Sequence, residues 1–485
     1  MDGTAMSAAR GRLSALDGTF LRLESDHAHM HVGWSGVFAV PPDVDRPTLQ
    51  ALRERVSARL PEVGWCRWRL RNAPLGLTEP RWVEDRDFDV AAHVVALSGA
   101  DEPVSHDAFA ALRDAVLSQP LDRSRPLWQI FLVPRLEDGR VGMIGKIHHA
   151  LVDGIAALQV VGLVSDAASH GAPAWRPTGQ HGPVGWVLDE LAQTAGDGLR
   201  AVRATAAAAI RPTASVGAAV GRARGFLSAA RQDVLPRAPD SPLNVPIGAR
   251  RSLVGYHAPR ADVSAARSGG GTPNDIGLTV VAGALRALAL RRGEPPTAPL
   301  KAMIPVSMRR VDEAGPGNRI AMVNIELPVH LGLPHERLEW VRAQTHRLKV
   351  SRRAEGMQTL YAAGGLLPPP LRTPVAKALA SPRAFNLTIS QSPAPRGTIS
   401  VLGCELEEVY SVVPIAEGHA LAIGLVRYRQ ELFFGCYADP DALPEARELP
   451  ARLEAEMRAL ARRSRPAGRR GPRTARGGPR PVSVR

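Results

Sequence analysis

The sequence predicts an α/β chain with mixed sheets, divided into two domains joined by a helical linker. Three observations carry that prediction. At 485 residues the chain is too long for one ordinary core. With 45% hydrophobic and 22% charged residues, its composition is that of a globular protein able to bury sizeable cores. Strand-like and helix-like periodicities occur in both halves, separated by a middle stretch of different character.

The first domain, 1–170, mixes helices with strands. A helix begins near Ser105 and carries Phe109, Leu112, Val116 and Leu117 on one face before Pro120 stops it. Asp138-Gly139 marks a turn, and the β-branched and small-residue run Val141–Ile147 after it reads as a buried strand. His148-His149-Ala150-Leu151-Val152-Asp153-Gly154 follows where that strand ends, and Ile155, Leu158 and Val161 recur beyond it at helical spacing. Residues 171–245 form the linker: Pro173, Pro177 and Pro183 break its start, and Trp186 to Ala230 is dominated by Ala, Gly and Arg with helical tendency. Its portions Leu199–Arg203 and Arg222–Leu227 suit a basic amphipathic contact with a membrane or lipid droplet, and equally suit packing on the protein.

The second domain, 246–462, has a helix from Pro273 toward Arg291-Arg292-Gly293, basic in its last turn and followed by Gly. Alternation at Leu421, Ile423 and Leu425, a polar turn at Arg429-Gln430-Glu431 and the run Leu432–Tyr437 predict a β-hairpin. Leu453, Met457 and Leu460 mark a final helix. The formal net charge is +14, but Arg462 to Arg485 holds nine Arg and no acidic residue, which leaves +5 for everything else. The tail 463–485 is therefore predicted to be basic and disordered. Its arginines lack interleaved aromatics for stacking on bases, so no specific nucleic-acid partner is expected.

The heptapeptide at 148–154 carries the chemistry. A neutral imidazole titrates near pH ~6.5 when unperturbed, so it can take a proton from a hydroxyl and return it to a leaving group. Successive side chains on extended backbone point to opposite faces, so one of His148 and His149 faces substrate while the other packs. Asp153 suits a helix N-cap as well as a chemical role. His149 and Asp153 supply at most two metal ligands with no His or Cys cluster nearby, so no metal is expected.

The flanking segments make the resemblance specific. Leu13-Ser14-Ala15-Leu16-Asp17-Gly18-Thr19-Phe20-Leu21, Met30-His31-Val32-Gly33, Trp82-Val83-Glu84-Asp85 and Pro120–Trp128 with its Pro126-Leu127-Trp128 lie in the first half. Pro242–Gly248, Asn274-Asp275-Ile276, Ile304–Arg309 and Gly317-Asn318 continue the pattern in the second. With the HHxxxDG motif, the chain resembles the bacterial wax ester synthase/acyl-CoA:diacylglycerol acyltransferase family. One departure stands out: where that family usually has Ser-Asn-Val-Pro-Gly-Pro, this sequence has Ser390-Gln391-Ser392-Pro393-Ala394-Pro395.

The resemblance implies two chloramphenicol acetyltransferase-like domains with the active site at their interface. It implies that His149 is the general base toward diacylglycerol or a fatty alcohol, with fatty acyl-CoA as co-substrate and no cofactor. His148 would support it, Asp153 would hold the loop and Gly154 would leave room for the substrate channel. A tetrahedral intermediate also needs a donor for its oxyanion, for which Asn274 and Ser390 are the candidates. Thr272-Pro273-Asn274-Asp275 also reads as a plain helix start. Alternatives are an acyltransferase or condensation-type enzyme for a polyketide-derived or carrier-bound acceptor, and a weakly active lipid-binding homologue.

Met1 to Phe20 lacks the apolar core of a secretory signal. The three cysteines, Cys66, Cys404 and Cys436, are too scattered for a disulfide framework. No stretch of about 18 residues is apolar enough to span a bilayer. The expectation is a cytoplasmic protein in peripheral contact with the inner face of the membrane or with lipid inclusions.

Overall fold

Two six-stranded sheets organise the chain, each mixed in direction. The computed structural model describes residues 11, 13–73, 80–152, 160–167, 185, 227–308, 318–365, 367, 369–392 and 397–464. Most of the expected linker, the tail from 465 on, and Asp153, Gly154, Ile155 and Leu158 lie outside these residues.

In chain order the first half contributes α1 (Ala15–Leu23), β1 (His31–Ala39), α2 (Leu49–Arg59), β2 (Trp68–Arg71), β3 (Arg81–Glu84), β4 (Val94–Ala96), α3 (His106–Leu117), β5 (Trp128–Val133) and β6 (Val141–His148). The second half contributes β7 (Ser252–Ala258), α4 (Arg260–Ser268), α5 (Pro273–Arg291), β8 (Leu300–Ser307), β9 (Ile320–Leu327), α6 (Pro334–Val350), α7 (Arg353–Gly365), α8 (Pro369–Leu379) and β10 (Leu387–Ser392). It continues through β11 (Ser400–Val401), β12 (Cys404–Val412), β13 (Leu421–Tyr428), β14 (Glu431–Ala438) and α9 (Leu449–Ser464).

The helix starts follow local chemistry. Ser105 caps α3 by accepting from the Ala108 N–H at 3.1 Å. Ser14 and Asp17 close a reciprocal box at the head of α1, and Thr272 and Asp275 close another at α5. Gly293 just beyond α5 has φ +76°, the left-handed turn that glycine adopts without a Cβ clash. The predicted hairpin is β13–β14. Its turn is Arg429-Gln430 alone, both at positive φ, with Glu431 already paired to Tyr428.

The sheet order of the first half is β11-β12-β1-β6-β5-β4, and of the second β7-β14-β13-β10-β8-β9. Residues 400–412 thus complete the first sheet, although the division at 246 assigns them to the second domain. The physical reason is β1, whose outer edge would otherwise expose unpaired backbone groups and instead pairs antiparallel with β12. The cores mix accordingly: Val426 and Phe433 from the second sheet are buried with Phe38 and Leu406 of the first.

β12 also crosses the second sheet at close range. Gly424, Gly435 and Gly255 form a row across β13, β14 and β7. A Cβ at Gly435 would lie 2.6 Å from the Ser411 carbonyl oxygen, and one at Gly255 2.4 Å from the Tyr410 ring. Only backbone without side chains admits the crossing strand there. This explains why β13 is buried nearly throughout rather than on alternate residues. Helices α5 and α9 share a core with one face, and β12 lies on the other.

Candidate functional site

β6 is buried along its whole length and delivers both histidines at its end. His31 of β1 stands opposite His148, and the His149 N–H donates to the Met30 carbonyl at 2.8 Å. The chain then turns, with the Leu151 N–H donating to the His148 carbonyl at 3.0 Å.

His148 is fully buried. Its Nδ1 accepts from the Ala150 N–H at 3.0 Å, which puts the imidazole proton on Nε2. Nε2 faces the Glu24 carboxylate at 3.3 Å. Arg123 donates to the same carboxylate from its other side through Nε at 2.7 Å. Burial alone would push the Glu24 carboxyl up, but His148 and the Arg123 guanidinium outweigh it and hold it down at about 2.

Behind His148 lies a buried polar group. The Tyr437 hydroxyl sits 3.3 Å from the His31 Nε2. The Lys146 ammonium donates to the carbonyls of Val116 and Gln119 at 2.9 and 2.8 Å. Burial lowers Lys146 to about 8 and places His31 well below the usual imidazole range.

His149 points the other way. Its ring stacks on Phe20 of α1 with centroids 3.9 Å apart and planes 7° from parallel. The residue is 7% exposed, and it lines a cavity of about 330 Å³. Both halves supply the walls: Leu16, Met30 and Ile147 from the first, Met303, Ile320 and Met322 from the second. The wall is mainly apolar, with hydroxyls from Thr19, Ser307, Ser390 and Ser411 among its few polar groups. A mainly apolar wall with a small number of placed polar groups is the pattern of a small-molecule site.

Of the predicted site residues, the structure brings His149 and Ser390 to one cavity, where Gln391 and Ser392 of β10 line the wall beside Ser390. His148 is adjacent in sequence but packed behind. Asn274 is half-buried at the second position of α5, whose cap is made by Thr272 and Asp275, and it is not among the cavity's residues. Asp153 and Gly154 are outside the described residues, as are Pro393 and Ala394.

The sequence reading did not single out three residues that contact the two histidines: Glu24 at His148, and Phe20 and Asn318 at His149. The Asn318 Nδ2 donates to the His149 carbonyl at 2.6 Å and to Asp17 Oδ1 at 2.6 Å. Burial raises the Asp17 carboxyl, while donors on Asn318 and Ser14 pull against it. Ser14-x-x-Asp17 is a readable capping signal, whereas nothing local in the sequence ties Asn318 to His149. Among the described residues no group of three or more His, Cys, Asp and Glu could hold a metal ion, and no helix is long and apolar enough to cross a membrane.

Comparison with known proteins places this geometry in a family. The model of the wax ester synthase/diacylglycerol acyltransferase catalytic domain matches residues 13–277, and that of the family's C-terminal domain matches 316–461. Two Mycobacterium tuberculosis proteins are similar over nearly their whole length. One, named as a probable diacylglycerol O-acyltransferase, tgs1, is 29% identical over 469 residues, covering 95% of this chain and 98% of its own. The other, whose name assigns the same activity provisionally, is 30% identical over 470 residues, covering 92% and 90%. Among solved structures, the wax ester synthase/diacylglycerol acyltransferase from Marinobacter aquaeolei VT8 superposes with a TM-score of 0.65 at 23% identity, over 93% of this chain and 99% of that one. The first condensation domain of the calcium-dependent antibiotic synthetase gives 0.60 at 17% identity, over 94% and 96%. At such identities the two structures establish the shared fold alone.

Proposed function

The chain belongs to the wax ester synthase/diacylglycerol acyltransferase family, and from that premise we propose that it transfers a long-chain fatty acyl group from coenzyme A to a hydroxyl, with His149 as general base. The acceptor is diacylglycerol, giving triacylglycerol, or a long-chain fatty alcohol, giving a wax ester, or both. One observation carries the reading: an imidazole at the wall of an apolar cavity that both halves of the chain line.

The imidazole takes the proton of the acceptor hydroxyl as its oxygen attacks the thioester carbonyl carbon. The carbon–sulfur bond of the tetrahedral intermediate then breaks, and the proton passes from the imidazolium to the departing thiolate, releasing coenzyme A. Ser390, in the same cavity, is the candidate donor to the intermediate's oxyanion. The reaction needs no cofactor beyond the acyl-CoA co-substrate. Peripheral contact with a cytoplasmic membrane face or lipid inclusion belongs to the same reading. Its support is α8, where Leu371, Val375 and Leu379 are exposed at helical spacing and the last two also line the cavity.

The test is thiol release from palmitoyl-CoA with hexadecanol or dipalmitoylglycerol as acceptor, with lipid products separated by thin-layer chromatography. Wild type is expected to form ester. His149→Ala is expected to lose about 10²–10⁴-fold in rate while keeping its fold. A folded His149→Ala with wild-type turnover refutes the base, and no release with any hydroxyl acceptor refutes the reaction.

A further inference from the structure

We infer that Asn318 is a positioning residue through which the second half of the chain holds the catalytic base in place. The inference rests on His149 being that base. Asn318 stands just ahead of β9 and is 9% exposed. Its amide nitrogen carries two hydrogens and meets two acceptors, Asp17 Oδ1 and the main-chain carbonyl of His149, each at 2.6 Å. The His149 carbonyl only accepts, so the orientation of the amide follows from chemistry: turned over, the amide oxygen would face that carbonyl oxygen. The Asn318 backbone N–H donates to the same Asp17 oxygen at 3.0 Å.

These partners reach the base twice. The direct path is the His149 carbonyl, held by Asn318 while the His149 N–H is held by Met30. The indirect path is α1: Asp17 lies one turn ahead of Phe20, and Phe20 covers the imidazole face. Asn318 is not among the residues lining the cavity, so it acts on the base and not on substrate. A displacement of ~1 Å at a reacting group costs on the order of 10²-fold in rate. Contacts that lock such a group to within ~0.5 Å are therefore part of how the rate is achieved. A residue that only braced the fold would lower stability and leave turnover per folded molecule unchanged.

Asn318→Ala, made in the wild-type and His149→Ala backgrounds, separates the two roles. With palmitoyl-CoA and hexadecanol, kcat of the single variant is expected to fall about 10- to 100-fold, with KM for palmitoyl-CoA changed less than about threefold, at a temperature where circular dichroism shows it folded. Added to His149→Ala, the same change is expected to lower the residual rate less than about twofold, because the group it positions has gone. Asn318→Ser keeps the backbone bond to Asp17 and carries the test if the alanine variant does not fold, with a kcat loss of the same sign and smaller size. A folded Asn318 variant with wild-type kcat, or equal losses in both backgrounds, overturns the inference. Full activity in His149→Ala overturns the assignment of the base instead.

Discussion

His148 ends β6 with its ring enclosed between Glu24 and the Ala150 N–H, whereas His149, one residue on, lays its ring against Phe20 at the wall of the cavity. The residue type is the same and the backbone continuous, yet one imidazole has both nitrogens facing fixed groups and the other faces space for a substrate. The alternation of extended backbone produces the difference. Behind the sheet, room is taken by Lys146, His31 and Tyr437; in front, the second half of the chain stands back and leaves a cavity. A histidine pair in sequence therefore divides into one ring packed behind the sheet and one at the cavity wall.

The sharpest test of that division sets His148→Ala beside His149→Ala. Removing His148 opens a buried hole and strips Glu24 of a neighbour, so stability to urea is expected to fall by about 3 kcal/mol, while kcat of the folded fraction stays within about tenfold of wild type. A His148→Ala enzyme as inactive as His149→Ala at full stability would break the comparison.

Glu24→Gln comes next. In the folded chain the Glu24 carboxyl is held at about 2 against an ordinary 4.5, so its ionised form stabilises the fold by about 3 kcal/mol above pH ~4.5. That contribution shrinks as pH falls and is gone once the folded group takes its proton. The stability gap between wild type and Glu24→Gln is therefore expected to be full at pH 6 to 7 and to narrow steadily below pH ~4.5. A gap that widens on acidification would show that the carboxylate is not held by His148 and Arg123.

The smallest effect belongs to Asn274→Ala. Thr272 and Asp275 make the α5 cap without it, so both stability and kcat are expected to stay near wild type, within about 0.5 kcal/mol and twofold. A loss on the order of 10²–10³-fold in kcat would restore it as an oxyanion donor.

Much of the fold was legible because its signals are local. Ser105, Thr272 and Gly293 mark helix ends through contacts three or four residues away, and the β13–β14 hairpin is written in its flanking strands. The position of His149 at the end of a buried strand was legible for the same reason, as part of a contiguous motif. Ser390 lines the cavity and Asn274 is not among its residues; the sequence context of Asn274 equally specifies a helix start, and local chemistry cannot choose between the two. The exchange of residues 400–412 between halves was not legible, since pairing with β1 is settled by which distant edge is free.

By itself the sequence determined which segments are helices and strands, the family, and where the candidate histidine pair lies, because these depend on neighbours along the chain. Tertiary structure alone decided that β12 lies over the glycines of β7, β13 and β14, that Phe20 covers His149, and that Asn318 meets an Asp17 301 residues away. Such contacts are selected by the free energy of closing long loops around a shared core, and no short window of sequence contains both partners.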